Sequence, residues 1–223
     1  MLDKRLSLCA EFVSEGGVVC DVGTDHAYLV AELLRSGKCR KAVAADIADG
    51  PLDAARQTLE RYGLLDSVRI IKSDGLREVE QDDITDIVIA GMGGELICEI
   101  ISCVEWIKND INLILQPMTR AETLRKTLYE NGYEITREQA VIDGEHAYSV
   151  ICAGYTGRVE RDITLQLIYL GKLQKKCKDN VLYIEKLYAQ QMQIIRGLEK
   201  SGRFEEAKKH REIAEIARGF LKG

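Results

Sequence analysis

The sequence predicts an α/β fold: a mostly parallel sheet covered by helices on both faces, ending in an antiparallel hairpin and followed by a helical coiled coil. Three observations predict it. Short, uniformly apolar runs of strand length recur as far as Leu115 and alternate with helical periods across short connections, the pattern of strands buried on both faces. Two further strand-like runs, Tyr133–Ile142 and His146–Ala153, are separated only by Asp143-Gly144-Glu145, too little chain for a crossover helix. After Gly157 the period becomes helical to the end.

Each element has a local reason. Residues 1–15 read as an amphipathic helix with Leu2, Leu6, Cys9 and Val13 on one stripe, closed by Gly16-Gly17. The apolar run from Val18 ends in Asp21-Val22-Gly23 and enters a helical pattern at Ala27. Strand, tight turn and helix in that order present backbone N–H groups to a nucleotide-like ligand. A second strand, Ala42–Ile47, again carries an acid near its end, Asp46, and Gly50-Pro51 opens the next helix, proline being tolerated in a first turn. Val68–Lys72 is a third strand and runs into Ser73-Asp74-Gly75. Asp86–Ala90 is a fourth, leading through Gly91-Met92-Gly93-Gly94 to a helix over 95–108. Ile111–Leu115 is a fifth, followed by Gln116-Pro117-Met118 and a helix over 120–129 that stops at Asn131-Gly132.

In the tail, Ile163, Leu167, Leu170, Gln174, Cys177, Val181, Ile184, Tyr188, Gln191, Ile195 and Leu198 alternate spacings of four and three, a coiled-coil seam. Ser201-Gly202 breaks it, and a shorter helix returns as the second arm of a helical hairpin. The expected division is an α/β domain over 1–157 and a basic helical domain over 158–223.

Composition narrows the class. At 223 residues, 46% hydrophobic and with two prolines, the chain can bury a full core. No run reaches the length of a membrane span and residues 1–12 lack an apolar signal core, so the expectation is a cytoplasmic protein away from the membrane. The seven cysteines are scattered, with no CxxC pair and no neighbouring histidine cluster, which reads as reduced core thiols and no metal. The net charge of −5 divides unevenly: residues 1–157 carry 16 basic against 27 acidic side chains, residues 158–223 carry 15 against 9. A basic appendage on an acidic domain points to a polyanionic partner, with a solvated helical surface as the alternative.

In an open parallel sheet, ligands bind beyond the carboxyl ends of the strands where strand order reverses. Four such ends here are polar or glycine-rich: 21–23, 46–47, 73–75 and 90–94. A dinucleotide site would carry G-x-G-x-x-G, but Gly23-Thr24-Asp25-His26-Ala27 puts an acid where the second glycine belongs. A carboxylate repels a pyrophosphate and attracts the sulfonium and ammonium of S-adenosylmethionine. That cofactor is therefore favoured, with Asp21 or Asp25 expected to face the ammonium. Asp46 suits the two ribose hydroxyls, and Asp74 the exocyclic amine of adenine.

Asp-Val-Gly-Thr-Asp-His-Ala-Tyr-Leu at 21–29, Asp-Ile-x-x-Gly-Pro-Leu at 46–52, Ser-Asp-Gly-Leu at 73–76, Ile-Ala-Gly-Met-Gly-Gly at 89–94 and Leu-Gln-Pro-Met at 115–118 resemble the bacterial tRNA (adenine-22-N1)-methyltransferase family, the TrmK type. The resemblance extends over almost the whole chain. It implies a Rossmann-like class I S-adenosylmethionine-dependent methyltransferase core, a C-terminal coiled coil, and methylation of N1 of adenine 22 in the D arm of tRNA. Carried over by position, it implies cofactor contacts from Asp21, Gly23, Asp46, Ile47, Ser73, Asp74 and Gly75, with Gly91, Met92 and Gly93 near the methyl group. Arg5 and His26 are further candidates on the cofactor side. For the chemistry, Asp25 and Glu95 are candidate carboxylates facing the cationic product, with Tyr28 or His26 shaping or stacking on the base. Other readings are a small-molecule or protein methyltransferase whose coiled coil dimerises, and a non-catalytic cofactor-binding regulator. The oligomeric expectation is a monomer.

Overall fold

A computed structural model describes residues 2–222; Met1 and Gly223, the outer ends of the two expected domains, lie outside the described residues. Seven strands pair into one sheet: β1 (Gly17–Val22), β2 (Cys39–Asp46), β3 (Val68–Lys72), β4 (Asp86–Gly93), β5 (Asn112–Thr119), β6 (Tyr133–Asp143) and β7 (His146–Tyr155). Their spatial order is β3-β2-β1-β4-β5-β7-β6. All pairings are parallel except those of β7, which runs antiparallel to both neighbours. The expected parallel sheet with a terminal antiparallel pair is present, and strand order reverses between β1 and β4.

The side-chain alternation of the strands builds two cores. Val18, Cys20, Val22, Ile87, Ile89, Leu113 and Leu115 point to the face covered by α4 (Gly94–Ser102) and α5 (Ala121–Glu130). Val19, Val88 and Ile114 point to the opposite face, against Leu8, Cys9 and Phe12 of α1 (Lys4–Phe12) and Leu29 and Leu33 of α2 (Tyr28–Arg35). On that same face α3 (Asp49–Tyr62) packs Ala55 and Leu59 over Ala42 and Ala44. Burial on both faces is why these strands read as continuous apolar runs.

Several boundaries differ from expectation. The first helix is shorter, capped by Asp3, whose Oδ1 accepts from the Leu6 N–H at 2.7 Å, and it buries Leu8, Cys9 and Phe12. The fourth and fifth strands run on, pairing irregularly as Met92↔Pro117 and Gly93↔Thr119. The helix expected over 95–108 ends at Ser102, whose hydroxyl donates back to the Cys98 carbonyl at 2.7 Å; a separate 3₁₀ turn covers Glu105–Lys108. No helix joins β3 to β4. Buried Leu76, Val79 and Ile84 fill that part of the core from an irregular connection.

The tail departs most from expectation. It forms α6 (Leu165–Tyr169), α7 (Lys178–Lys200) and α8 (Phe204–Lys222), so residues 163–177 of the expected seam are a short helix and turns, and only α7 and α8 make the hairpin. Tertiary contacts override the helical period there. The Arg125 guanidinium donates to the Ile168 carbonyl at 2.9 Å, and Gly171, at φ +60°, passes so close to Glu138 that a Cβ would stand 1.8 Å from Oε2. Asn180 Oδ1 then accepts from the Ala140 N–H (2.7 Å) and Asp179 Oδ2 from the Ile142 N–H (3.0 Å), so the start of α7 covers the outer edge of β6. Further along α7, the Lys186 ammonium donates to the Glu145 carbonyl at the tip of the β6–β7 hairpin. That tip lies at the carboxyl end of the parallel strands.

Candidate functional site

The candidate cleft lies beyond the carboxyl ends of β1 and β4, where strand order reverses. Beyond β1 the chain turns back onto β2, Gly23 and Thr24 both donating N–H to the Ala45 carbonyl at 2.8 and 3.1 Å. Beyond β3, the Ser73 N–H donates to the Asp46 carbonyl at 2.9 Å. Three strand ends are thereby tied into one ledge.

Glycine is needed at two points of this ledge. Gly23 has φ +78°, and a Cβ there would stand 2.2 Å from Met92 Cε, so the Met92 side chain lies over the β1 turn. Gly91 has φ +83°, and a Cβ there would stand 3.2 Å from Arg5 Nη1. Arg5 reaches this point from α1 and donates to Gln116 Oε1 at 2.8 Å, the same oxygen that accepts from the Gly91 N–H at 3.0 Å. Gln116, fully buried, turns its amide nitrogen to the Pro117 carbonyl at 2.9 Å. One glutamine therefore fixes both the β4 turn and the arginine above it.

The acids divide by environment. Asp21 is buried at the end of β1; burial, with a smaller contribution from the Asp46 charge, pushes its carboxyl up to about 6, against the lowering influence of the nearby Thr24 hydroxyl. That hydroxyl is itself buried and completes no hydrogen bond. Asp46 is half-buried and its Oδ1 accepts from the Ala48 N–H at 2.8 Å, while Ile47 beside it is 63% exposed. Ser73 is buried and closes its turn on the Gly75 carbonyl (2.8 Å). Asp74 is exposed and pairs with Arg77 at 3.1 Å.

On the other wall, His26 and Ala27 both have positive φ, +58° and +52°, holding a tight bend before α2 in which Ala27 is buried and His26 exposed. The His26 and Tyr28 rings stack with centroids 5.3 Å apart and planes at 12°. Asp25 is exposed, its Oδ1 3.3 Å from His26 Nε2. Glu95 is an exposed acid in the first turn of α4, 3.8 Å from Arg120 Nε. Gly93 and Gly94 bring β4 against the start of α5, where a Cβ on Gly94 would stand 2.4 Å from the Arg120 carbonyl.

The sequence-predicted residues thus lie at the tips of β1, β2, β3 and β4, apart from Arg5 in α1, His26 and Tyr28 at the entry of α2 and Glu95 in α4, and the structure links Gly23 to Met92 and Gly91 to Arg5. It places the Asp25 and Asp74 carboxylates at the exposed rim, each beside its own cationic or imidazole neighbour. Sequence reasoning missed Gln116 and Thr24 as organisers of the cleft. A polar residue inside an otherwise apolar strand is the signal that marks Gln116. Among the described residues, no cluster of side chains has metal-ligand composition, and no helix is long and apolar enough to cross a membrane.

A methyltransferase-domain family model matches residues 2–151. The chain is 35% identical over 153 residues to the Bacillus subtilis (strain 168) tRNA (adenine(22)-N(1))-methyltransferase, a match covering 68% of this chain and 64% of that protein. The crystal structure of the B. subtilis M1A22 tRNA methyltransferase TrmK has a TM-score of 0.85 at 25% identity and covers 100% of this chain and 99% of that one. A Streptococcus pneumoniae structure in complex with S-adenosyl-L-methionine has a TM-score of 0.86 at 28% identity, over 99% of this chain and 100% of that one. Family match, sheet order and full-length structural likeness agree: the chain belongs to the methyltransferase-domain family, as a class I methyltransferase, and within that family it is similar to the tRNA (adenine-22-N1)-methyltransferases of the TrmK type.

Proposed function

We propose that this protein uses S-adenosylmethionine to methylate N1 of adenine 22 in the D arm of tRNA. The observation that carries the proposal is the convergence of Asp21, Asp46 and the two positive-φ glycine turns, Gly23 and Gly91, at the point where strand order reverses. The residues fit the cofactor. Glycine leaves the backbone of both turns open to a close-lying ligand, the ledge is acidic toward a cationic group, and the Thr24 hydroxyl has an unused hydrogen-bonding capacity.

Asp46 would hold the ribose hydroxyls, Ile47 and Gly75 would flank the adenine, and Asp74 would accept from its amine. Asp21 would face the ammonium, and Arg5, fixed by Gln116 over Gly91, would suit its carboxylate. The bound cofactor supplies an electrophilic methyl group. Adenine N1 keeps its lone pair at neutral pH, so the chain's main task is positioning, which can contribute roughly 7–11 kcal/mol. Asp25 and Glu95 are the carboxylates that would offset the positive charge developing on the base. N1 lies on the pairing edge, so the adenine must leave its stack. The exposed Tyr28 ring (50%), stacked on His26, would offer it a platform at the rim.

In this reading residues 1–157 are the methyltransferase domain, residues 158–223 a helical domain that helps hold tRNA, and the protein works as a cytoplasmic monomer. The test is incubation with methyl-labelled cofactor and two transcripts, one with adenine at position 22 and one with guanine. Label in the first alone supports the proposal. Equal label in both, or none in either, sinks it.

A further inference from the structure

The net charge of residues 158–223 is +6, and four of those six charges come from Lys172, Lys175, Lys176 and Lys178, with no acid between them. All four are exposed, and none forms an ion pair among the described residues. The helical hairpin is different. Arg203, just before α8, and Lys208, Arg211 and Arg218 on it are each paired with a glutamate of α7 or α8. The excess positive charge of the tail is therefore concentrated between α6 and the first residue of α7, since residues 179–223 carry nine basic against seven acidic side chains.

That segment is held rigidly. The Lys172 N–H donates to the buried Glu138 carboxylate at 3.0 Å, Leu173 is buried, and the Asn180 side chain donates to the Gln174 carbonyl at 2.9 Å while accepting from β6. It rests against Glu138–Ile142 of β6, beside the carboxyl end of the sheet where the cleft opens. From β4 to β6 is three strand spacings, about 14 Å. A cationic loop fixed before binding loses little conformational freedom on meeting a polyanion.

We propose that the 172–178 lysine loop is the principal phosphate-backbone contact of this protein, gripping an RNA helix at its backbone while a base from the same RNA enters the β1–β4 cleft. The inference rests on the tRNA reading above and assigns the interface within it to residues.

The test uses the full chain with four substitutions together, Lys172→Gln, Lys175→Gln, Lys176→Gln and Lys178→Gln. A second variant neutralises four α8 cations: Lys208→Gln, Lys209→Gln, Arg211→Gln and Arg218→Gln. Affinity for the adenine-22 transcript is followed between about 50 and 200 mM salt, where each lost phosphate contact lowers the slope by roughly 0.7–0.9. The loop variant should lose about 3 from that slope and at least about tenfold in affinity at the lower salt. The α8 variant should lose less than about threefold, and both should bind S-adenosylmethionine like the parent. A parent that binds no tRNA overturns the tRNA reading and the loop assignment with it. A parent that binds, with the loop variant unchanged or both variants equally weakened, overturns the loop assignment alone. Lysine-dependent binding to phosphatidylserine vesicles, with RNA binding unaffected by the loop substitutions, overturns it in favour of a membrane surface.

Discussion

Arg125 and Glu138 form a buried ion pair, with Nη2 and Nε of the arginine 2.6 and 3.0 Å from the same carboxylate oxygen. Burial works against the arginine charge, and the adjacent carboxylate more than offsets it, so the guanidinium is held even more firmly protonated than usual. The pair also organises its surroundings. Arg125 donates to the Ile168 and Tyr169 carbonyls, and Glu138 accepts the Lys172 N–H. One ion pair thus ties α5, β6 and the tail together.

Arg125→Met leaves the Glu138 carboxylate buried without its partner, a change that costs about 3–5 kcal/mol. Chemical denaturation should show that loss. Arg125→Met combined with Glu138→Leu should recover part of it, since no charge then stays buried alone. Recovery absent in the double variant would show that the bonds to residues 168–172, not the pair, carry the stability.

Asp21 makes a pH-dependent contribution. Its folded pKa of about 6 lies above the ordinary carboxylate value, so it favours the folded state below the ordinary value and loses that contribution as pH rises through 6. Above pH 6 the buried anion is a cost of at most about 3 kcal/mol. Asp21→Asn should therefore be more stable than the parent at pH 8, with the difference shrinking toward pH 5. Equal midpoints at both values would mean that Asp21 is not desolvated in the ligand-free protein.

Asp46→Ala should weaken S-adenosylmethionine binding by at least about tenfold, the scale of a lost charged hydrogen bond. Asp46→Asn, which keeps an acceptor for the Ala48 N–H, should lose less. Calorimetry separates the two, and an unchanged Asp46→Ala affinity would remove Asp46 from the ribose site.

Gly94→Ala and Gly23→Ala should differ in kind. At Gly94 the added Cβ meets the Arg120 carbonyl, a backbone atom, and the expected loss of stability is about 1–3 kcal/mol. At Gly23 it meets the movable end of Met92. There the main effect should be on cofactor affinity, with a stability loss near 1 kcal/mol from the positive φ. Thermal melts and calorimetry on both variants decide this, and a Gly94→Ala melt matching the parent would refute the close approach of α4 and α5.

Much of the cleft was legible because its residues are consecutive at strand ends: Asp21-Val22-Gly23, Asp46-Ile47, Ser73-Asp74-Gly75 and Gly91-Met92-Gly93 each announce a strand closing in a polar turn. Gln116 was not, because its role lies in bonds to Arg5 and Gly91, which are 111 and 25 residues away. The tail misled for a related reason. Leu167, Leu170, Gln174 and Cys177 keep a helical spacing, yet Arg125 takes the carbonyl of Ile168 and Glu138 forces a turn at Gly171.

The sequence by itself determined the strands, their burial on both faces, the antiparallel close of the sheet and the acidic, glycine-turned strand ends. These follow from side-chain periodicity and backbone freedom, which act over a few residues. Only the tertiary structure decided that Arg5 stands over Gly91, that the tail bends at Gly171, and that the chain carrying its unpaired lysines runs along the outer edge of β6. Each depends on groups far apart in the chain, meeting only once the sheet has formed and the buried charges have found their partners.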